Sequence, residues 1–184
     1  MRENLGNVKS KRGKLKTSLF FLGIFEMTTL EKIENLILTK FAEEGFEDCF
    51  LVEIQLSPAN ALEIFVDADS DLTLDKCRKI SRFVEHHLDE NGWLGETYGI
   101  EVSSPGIGRP LKFIRQYKKN IKRLLDVTKT DGTLESGTLE SADDEKIILT
   151  KEVKIKEGKK NKLETQITEI AYSDIKKASV GVKF

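Results

Sequence analysis

The chain has 184 residues, with 30 lysines and arginines against 31 aspartates and glutamates, two histidines and 39% hydrophobic side chains. That is ordinary globular usage, enough for one domain of about 150 residues or two small ones, and no apolar run approaches the roughly 18 residues a membrane-spanning helix needs. Cys49 and Cys77, with no CxxC spacing, exclude a disulfide framework and a four-cysteine zinc site, so a cytoplasmic protein is expected.

The net charge of −1 hides an uneven distribution. Residues 1–26 carry six basic and two acidic side chains, net +4; residues 27–105 carry six and seventeen, net −11; residues 106–184 carry eighteen and twelve, net +6. An acidic block beside a basic one points to charged partners.

In chain order, the basic start followed by Leu19–Phe25 imitates a secretory signal. Its apolar part is seven residues long and runs into Glu26, with no small-residue cleavage site. Met27 stands directly before Thr28-Thr29-Leu30-Glu31, a capping box, and is read as the true first residue; 1–26 is expected to be a disordered extension or start-site artefact, with membrane targeting as the lesser alternative. Leu30, Ile33, Leu36, Ile37 and Phe41 repeat at helical spacing over 28–44, with Gly45 placed to stop the helix. Phe50, Val52, Ile54 and Leu56 alternate, as do Leu62, Ile64 and Val66, and Ser57-Pro58-Ala59-Asn60 between them makes a hairpin. Thr73 caps a second helix with Leu74, Cys77, Ile80, Val84 and Leu88 facing inward, and Asn91-Gly92 ends it. A third strand covers 98–102. The order αββαβ predicts one sheet with two helices on one side.

After a turn-rich stretch, 103–110, a short helix is expected over 111–117. Strands follow at 121–128, 134–141, 147–155, 163–171 and 180–182, which together predict a small β-barrel. The reading is α+β with two domains: 27–105, a linker at 106–117, and 118–184.

Several patterns carry little chemistry. Asp67, Asp69 and Asp71 imitate half a calcium loop, but Leu72 takes the glycine position and Arg78 stands where a bidentate glutamate belongs; a strand end and acidic helix start is the better account. His86 and His87 are adjacent on a helix, about 100° apart, and cannot both face one ion. Gly92-Trp93-Leu94-Gly95 has the spacing of a KH clamp, but it lies between helix and strand beside Glu96 and reads as a turn. With no nucleophile elbow or phosphate loop, the chain is read as a protein without catalytic, metal or cofactor residues. The richest feature is basic. Arg109, Lys112, Arg115, Lys118, Lys119, Lys122 and Arg123 fall within fifteen residues, interleaved with Phe113 and Tyr117, a composition suited to RNA phosphates and bases or simply to a solvated face. The lysine-rich tip 156–162 reads as solvation.

The nine residues Ser103-Ser104-Pro105-Gly106-Ile107-Gly108-Arg109-Pro110-Leu111 resemble the SSPGLDRPL segment that joins the two domains of the bacterial ribosome maturation factor RimP family. The similarity continues through 115–120 and back through Leu74–Arg82, and covers about 27–184; Gly108 stands where many members have Asp. The resemblance implies an N-terminal α/β domain, an Sm-like or SH3-like C-terminal barrel, and a non-enzymatic assembly factor for the small ribosomal subunit. Its implied partners are immature small-subunit rRNA and a basic ribosomal protein, small-subunit protein twelve among them, with no membrane and a monomeric state. Ser103, Ser104, Pro105, Gly106 and Pro110 are then the interdomain signature. The alternative is an Sm-type module acting on small RNAs away from the ribosome.

Overall fold

The computed structural model describes residues 27–157 and 160–182, with the side chains of 155–162 left aside. The expected extension at 1–26 and the side chains of the lysine-rich tip lie outside the described residues. No helix among the described residues is long and apolar enough to cross a membrane.

The first half runs α1 (Thr29–Phe41), β1 (Cys49–Leu56), β2 (Ala61–Ala68), α2 (Leu74–Asn91) and β3 (Gly99–Ser103). Helix α1 starts where Thr28 and Glu31 cap each other reciprocally, with Thr28 N–H donating to Glu31 Oε2 at 2.7 Å and Glu31 N–H to Thr28 Oγ1 at 3.2 Å. Helix α2 starts at the Thr73 side chain and stops at Gly92, whose φ of +63° is the left-handed conformation glycine adopts without strain. β1 and β2 are antiparallel, and β3 returns parallel to β2 after the α2 crossover, giving the order β1-β2-β3. Both helices cover one face of this sheet, burying Ile33, Ile37, Ile64, Ile80, Val84 and Leu88 completely.

Two expectations fail here for local reasons. Leu74, placed inward by the helical pattern, is 83% exposed, because it is the first residue after the cap and precedes the packed turns. The alternation of Phe50, Val52, Ile54 and Leu56 is interrupted by a bulge between Leu51 and Glu53. The extra residue shifts the pleat. Phe50 and Val52 therefore join Phe65 in a separate cluster, whereas Leu51 and Ile54 pack on the helix-side core.

The second half begins with α3 (Ile114–Lys119), three residues later than expected, and continues through β4 (Leu124–Lys129), β5 (Leu134–Ala142), β6 (Lys146–Glu157), β7 (Lys160–Ala171) and β8 (Ile175–Val180). The last strand lies before, not at, the expected 180–182. All neighbours are antiparallel in the order β7-β6-β5-β4-β8 around a second core that includes Leu125, Val127, Leu139, Ile147, Ile170 and Tyr117. The expected closed barrel is replaced, among the described residues, by an open five-stranded sheet, since β7 and β8 are its two edges. β6 and β7 continue to pair from Lys151 to Glu157, past Thr150, the last β6 residue with a β5 partner, so this edge lengthens as a ribbon instead of meeting β8.

Candidate functional site

In the β1–β2 ladder, Phe50 lies opposite Asp67 and Glu53 opposite Phe65, so these four side chains share the sheet face that the helices leave bare. Asp69 continues the same parity just beyond β2. An aromatic and acidic face of this kind needs a cationic cover, and the linker with α3 supplies it.

Arg109 places its guanidinium carbon 3.5 Å from the centre of the Phe65 ring and donates from Nη1 to Glu53 Oε2 at 3.1 Å. Lys112 Nζ reaches the same oxygen at 3.1 Å. Arg115 stacks on Phe50 at 3.9 Å and donates to both oxygens of Asp69, at 2.8 and 2.5 Å, with a further bond to the Asp48 carbonyl at 3.3 Å. Phe113 meets Phe50 edge-on at 5.9 Å. Lys119 Nζ lies 2.6 Å from Asp67 Oδ1, and Gln116 Nε2 donates to Asp67 Oδ2 at 3.3 Å.

The other predicted cations turn toward the second sheet or its loops. Lys118 pairs with Asp144 at 2.7 Å, Lys122 with Glu140, and Arg123 donates to Asn120 Oδ1 at 2.9 Å. The seven cations are thus split into a seam-facing set, Arg109, Lys112, Arg115 and Lys119, and a set on the second half; six of the seven have a carboxylate partner.

Local backbone chemistry explains why α3 sits at this seam. Gln116 Oε1 accepts from the backbone N–H groups of Lys112 (2.8 Å) and Phe113 (3.2 Å), holding the otherwise unpaired donors that precede the helix. Tyr117 enters the second core from the same helix, and burial, with help from Tyr172, pushes its hydroxyl up to about 12. A six-residue helix therefore belongs to the second core on one side and clasps the first sheet on the other. Of the signature, Ser103 ends β3, the turn falls at Ile107 and Gly108, just after the expected Pro105 and Gly106, and Pro110 precedes Leu111, whose N–H donates to the Ala178 carbonyl at 2.8 Å and fastens the linker to β8. Gly108 has φ +92°, where an aspartate would be strained, so the departure at this position suits its backbone.

Asp69 and Asp48 are held ionised by their partners. The Arg115 guanidinium lowers the Asp69 carboxyl from its ordinary value. Asp48, bonded by Lys76 at 2.7 Å and by Ser70, is held well below the usual carboxylate range. Asp67 and Asp69 are thereby occupied by organic cations; Asp71 is exposed and takes no part in the seam. No group of three or more His, Cys, Asp or Glu side chains among the described residues has metal-binding geometry. His86 is exposed beside Glu90, and His87 Nδ1 faces the Phe83 carbonyl, so the two histidines share no ligand.

A family model described as the RimP N-terminal domain matches residues 37–108. The protein named ribosome maturation factor RimP in Christiangramia forsetii is 37% identical over 161 residues, which span 84% of this chain and 98% of that protein. Its namesake in Flavobacterium psychrophilum is 32% identical over 161 residues, 86% of this chain and all of that protein. The chain belongs to the RimP family. A further RimP relative, from Porphyromonas gingivalis, is 35% identical over 133 residues. The RimP N-terminal model takes in the acidic sheet and the linker as far as Gly108, and the longer matches continue beyond it.

Sequence reasoning found the cations and missed their partners. Glu53, Phe50 and Phe65 carry no motif, and only the parity of β1 across its bulge puts them on one face.

Proposed function

We propose that this chain is a ribosome maturation factor of the small ribosomal subunit that works by binding and not by catalysis. The observation that carries the reading is its similarity, over nearly the full length of the relatives, to proteins named ribosome maturation factor RimP. The chain acts as two domains, 27–105 and 118–184, joined by 106–117, with the second domain related to Sm-like or SH3-like folds; the bulged antiparallel strands support that kinship.

The charge split supports a division of labour. The acidic domain is repelled by rRNA phosphate and drawn to a basic ribosomal protein such as small-subunit protein twelve, while the basic half approaches RNA. Of the seven cations of the linker region, Lys118, Lys122 and Arg123 are the ones without a carboxylate partner on the first sheet. Binding accelerates maturation only if the immature particle is bound more tightly than the mature one. Co-sedimentation from growing cells at low salt tests the proposal: the protein is expected with immature small-subunit particles and depleted from mature ones, and its absence from all small-subunit fractions would overturn the reading.

A small-RNA module of Sm type is the second reading, favoured by the β7 edge of the sheet, through which such a module would self-associate. Light scattering separates the two: a monomer is expected here, a ring-sized oligomer for the rival.

A further inference from the structure

A slot of about 310 Å³ opens between the linker, α3 and β8. Its lining combines the apolar side chains of Leu111, Ile114 and Ile175 and the nearly buried Tyr117 with Lys112, Lys176 and Lys177, which stand exposed. No carboxylate lines it among the described residues, and neither Lys176 nor Lys177 has an ion-pair partner there. This sets them apart from Lys118, Lys119 and Lys122, whose charges are already met. Tyr172 walls the slot, held edge-on against Tyr117 at 5.2 Å and by donation from its hydroxyl to the Asp143 carbonyl at 3.0 Å.

We infer that this slot takes one unstacked base of single-stranded RNA, with Lys176 and Lys177 holding the flanking phosphates. The inference rests on the small-subunit assembly role proposed above and names where the RNA is gripped. Bases of any identity gain from contact with an apolar or aromatic floor, and lysines without carboxylates gain from phosphate. An extended peptide fits less well, because strand addition needs a free edge and the Leu111 N–H already occupies the Ala178 carbonyl on β8. A base paired in a duplex must first be unpaired and unstacked to enter, so the slot favours single strands, as suits a factor that keeps a local rRNA region open.

The test uses the full chain and a fluorescein-labelled RNA oligonucleotide of about twelve nucleotides, single-stranded or annealed to its complement, followed by anisotropy over a range of salt concentrations. The single strand is expected to bind more tightly than the duplex. Lys176→Glu with Lys177→Glu is expected to weaken single-strand binding about ten-fold or more and to reduce the salt dependence by about one to two ions, with the melting temperature unchanged because both side chains are exposed and unpaired. A 4-thiouridine oligonucleotide is expected to photocrosslink within 110–117 or 172–178. Unchanged affinity in the double variant, equal binding of duplex, crosslinks confined to other segments, or tighter capture of an acidic peptide than of RNA would each overturn the assignment. If the wild-type chain co-sediments with precursor subunits and the double variant binds RNA normally, the slot falls and the assembly role stands. If the wild-type chain does not co-sediment, the assembly role itself falls.

Discussion

The guanidinium carbon of Arg115 lies over the ring of Phe50, 3.9 Å from its centre, while the same group holds Asp69 with two hydrogen bonds. Arg109 likewise sits over Phe65 and donates one hydrogen bond to Glu53, two residues that face each other across β1 and β2. A planar guanidinium can stack and fork at once, and an ammonium cannot. Two such contacts at separate points on one sheet fix orientation as well as proximity, so the basic stretch first serves as a fastening between the two halves.

Replacing Arg115 separates charge from shape. Arg115→Ala is expected to cost about 1–2 kcal/mol, a figure discounted because the Asp69 side chain is half exposed. Arg115→Lys is expected to recover only a part, since it keeps the charge and loses the fork and the stack. Urea unfolding gives the stabilities, and residual dipolar couplings from the two halves report their relative orientation. If the lysine variant matches the wild type in both, the stacking argument is wrong.

Lys119 and Asp67 form the most enclosed pair of the seam, with side chains 25% and 12% exposed. Lys119→Ala leaves the buried carboxylate with Gln116 as its main side-chain partner and is expected to destabilise the protein by about 3 kcal/mol. Asp67→Asn combined with Lys119→Met removes both charges, keeps a group able to meet Gln116, and is expected to restore most of the loss. A double-mutant cycle by urea unfolding checks this; additive losses would mean that the pair is not coupled.

The first half of the fold was largely readable because its signals are local. Thr28 with Glu31, Thr73 and Gly92 mark helix ends by their own chemistry, and Ile33, Ile37, Ile80 and Val84 repeat at the helical period. What eluded the sequence is long-range. The bulge at Val52 moves Ile54 to the other face without changing the apolar pattern, and closure of a barrel depends on whether β7 and β8 meet, which no short window encodes. The seven cations were legible as a cluster, but their division between the seam and the second half is set by the faces of α3 and the strand parity of Phe50, Glu53, Phe65 and Asp67. Lys176 and Lys177 went unnoticed because two lysines in an edge strand look like ordinary solvation.

Acid should loosen the strand-end cluster in a defined direction. Asp48 and Asp69 have folded-state pKa values lowered by Lys76 and Arg115 respectively, against an unfolded value of about 3.9. Each depressed carboxylate contributes stability that is fully present above the unfolded pKa and is lost as pH falls through the folded one. The melting temperature is therefore expected to decline from about pH 5 downward, and Asp48→Asn, which starts lower, to follow a shallower acid limb. Calorimetric melts across this range decide the matter; parallel acid limbs for wild type and variant would remove Asp48 from the account.

The close approach of β5 to β6 gives a prediction independent of charge. A Cβ added at Gly137 would lie 2.9 Å from the Thr150 carbonyl oxygen and 3.2 Å from the Leu149 Cβ, and the oxygen belongs to backbone that cannot rotate away. Gly137→Ala must push β6 outward at the place where the ribbon leaves the sheet, and is expected to cost about 1–3 kcal/mol. Gly132→Ala is the control: its φ is +88° but nothing lies within 4 Å of the new atom, so its cost, about 1 kcal/mol, is conformational alone. The two variants should differ in hydrogen exchange, with Gly137→Ala speeding the β5–β6 amides on both sides of Thr138 and Gly132→Ala confined to its turn. Equal protection of those strand amides in both variants would show that β6 yields freely, and the tight contact would then carry no weight in holding the ribbon to the sheet.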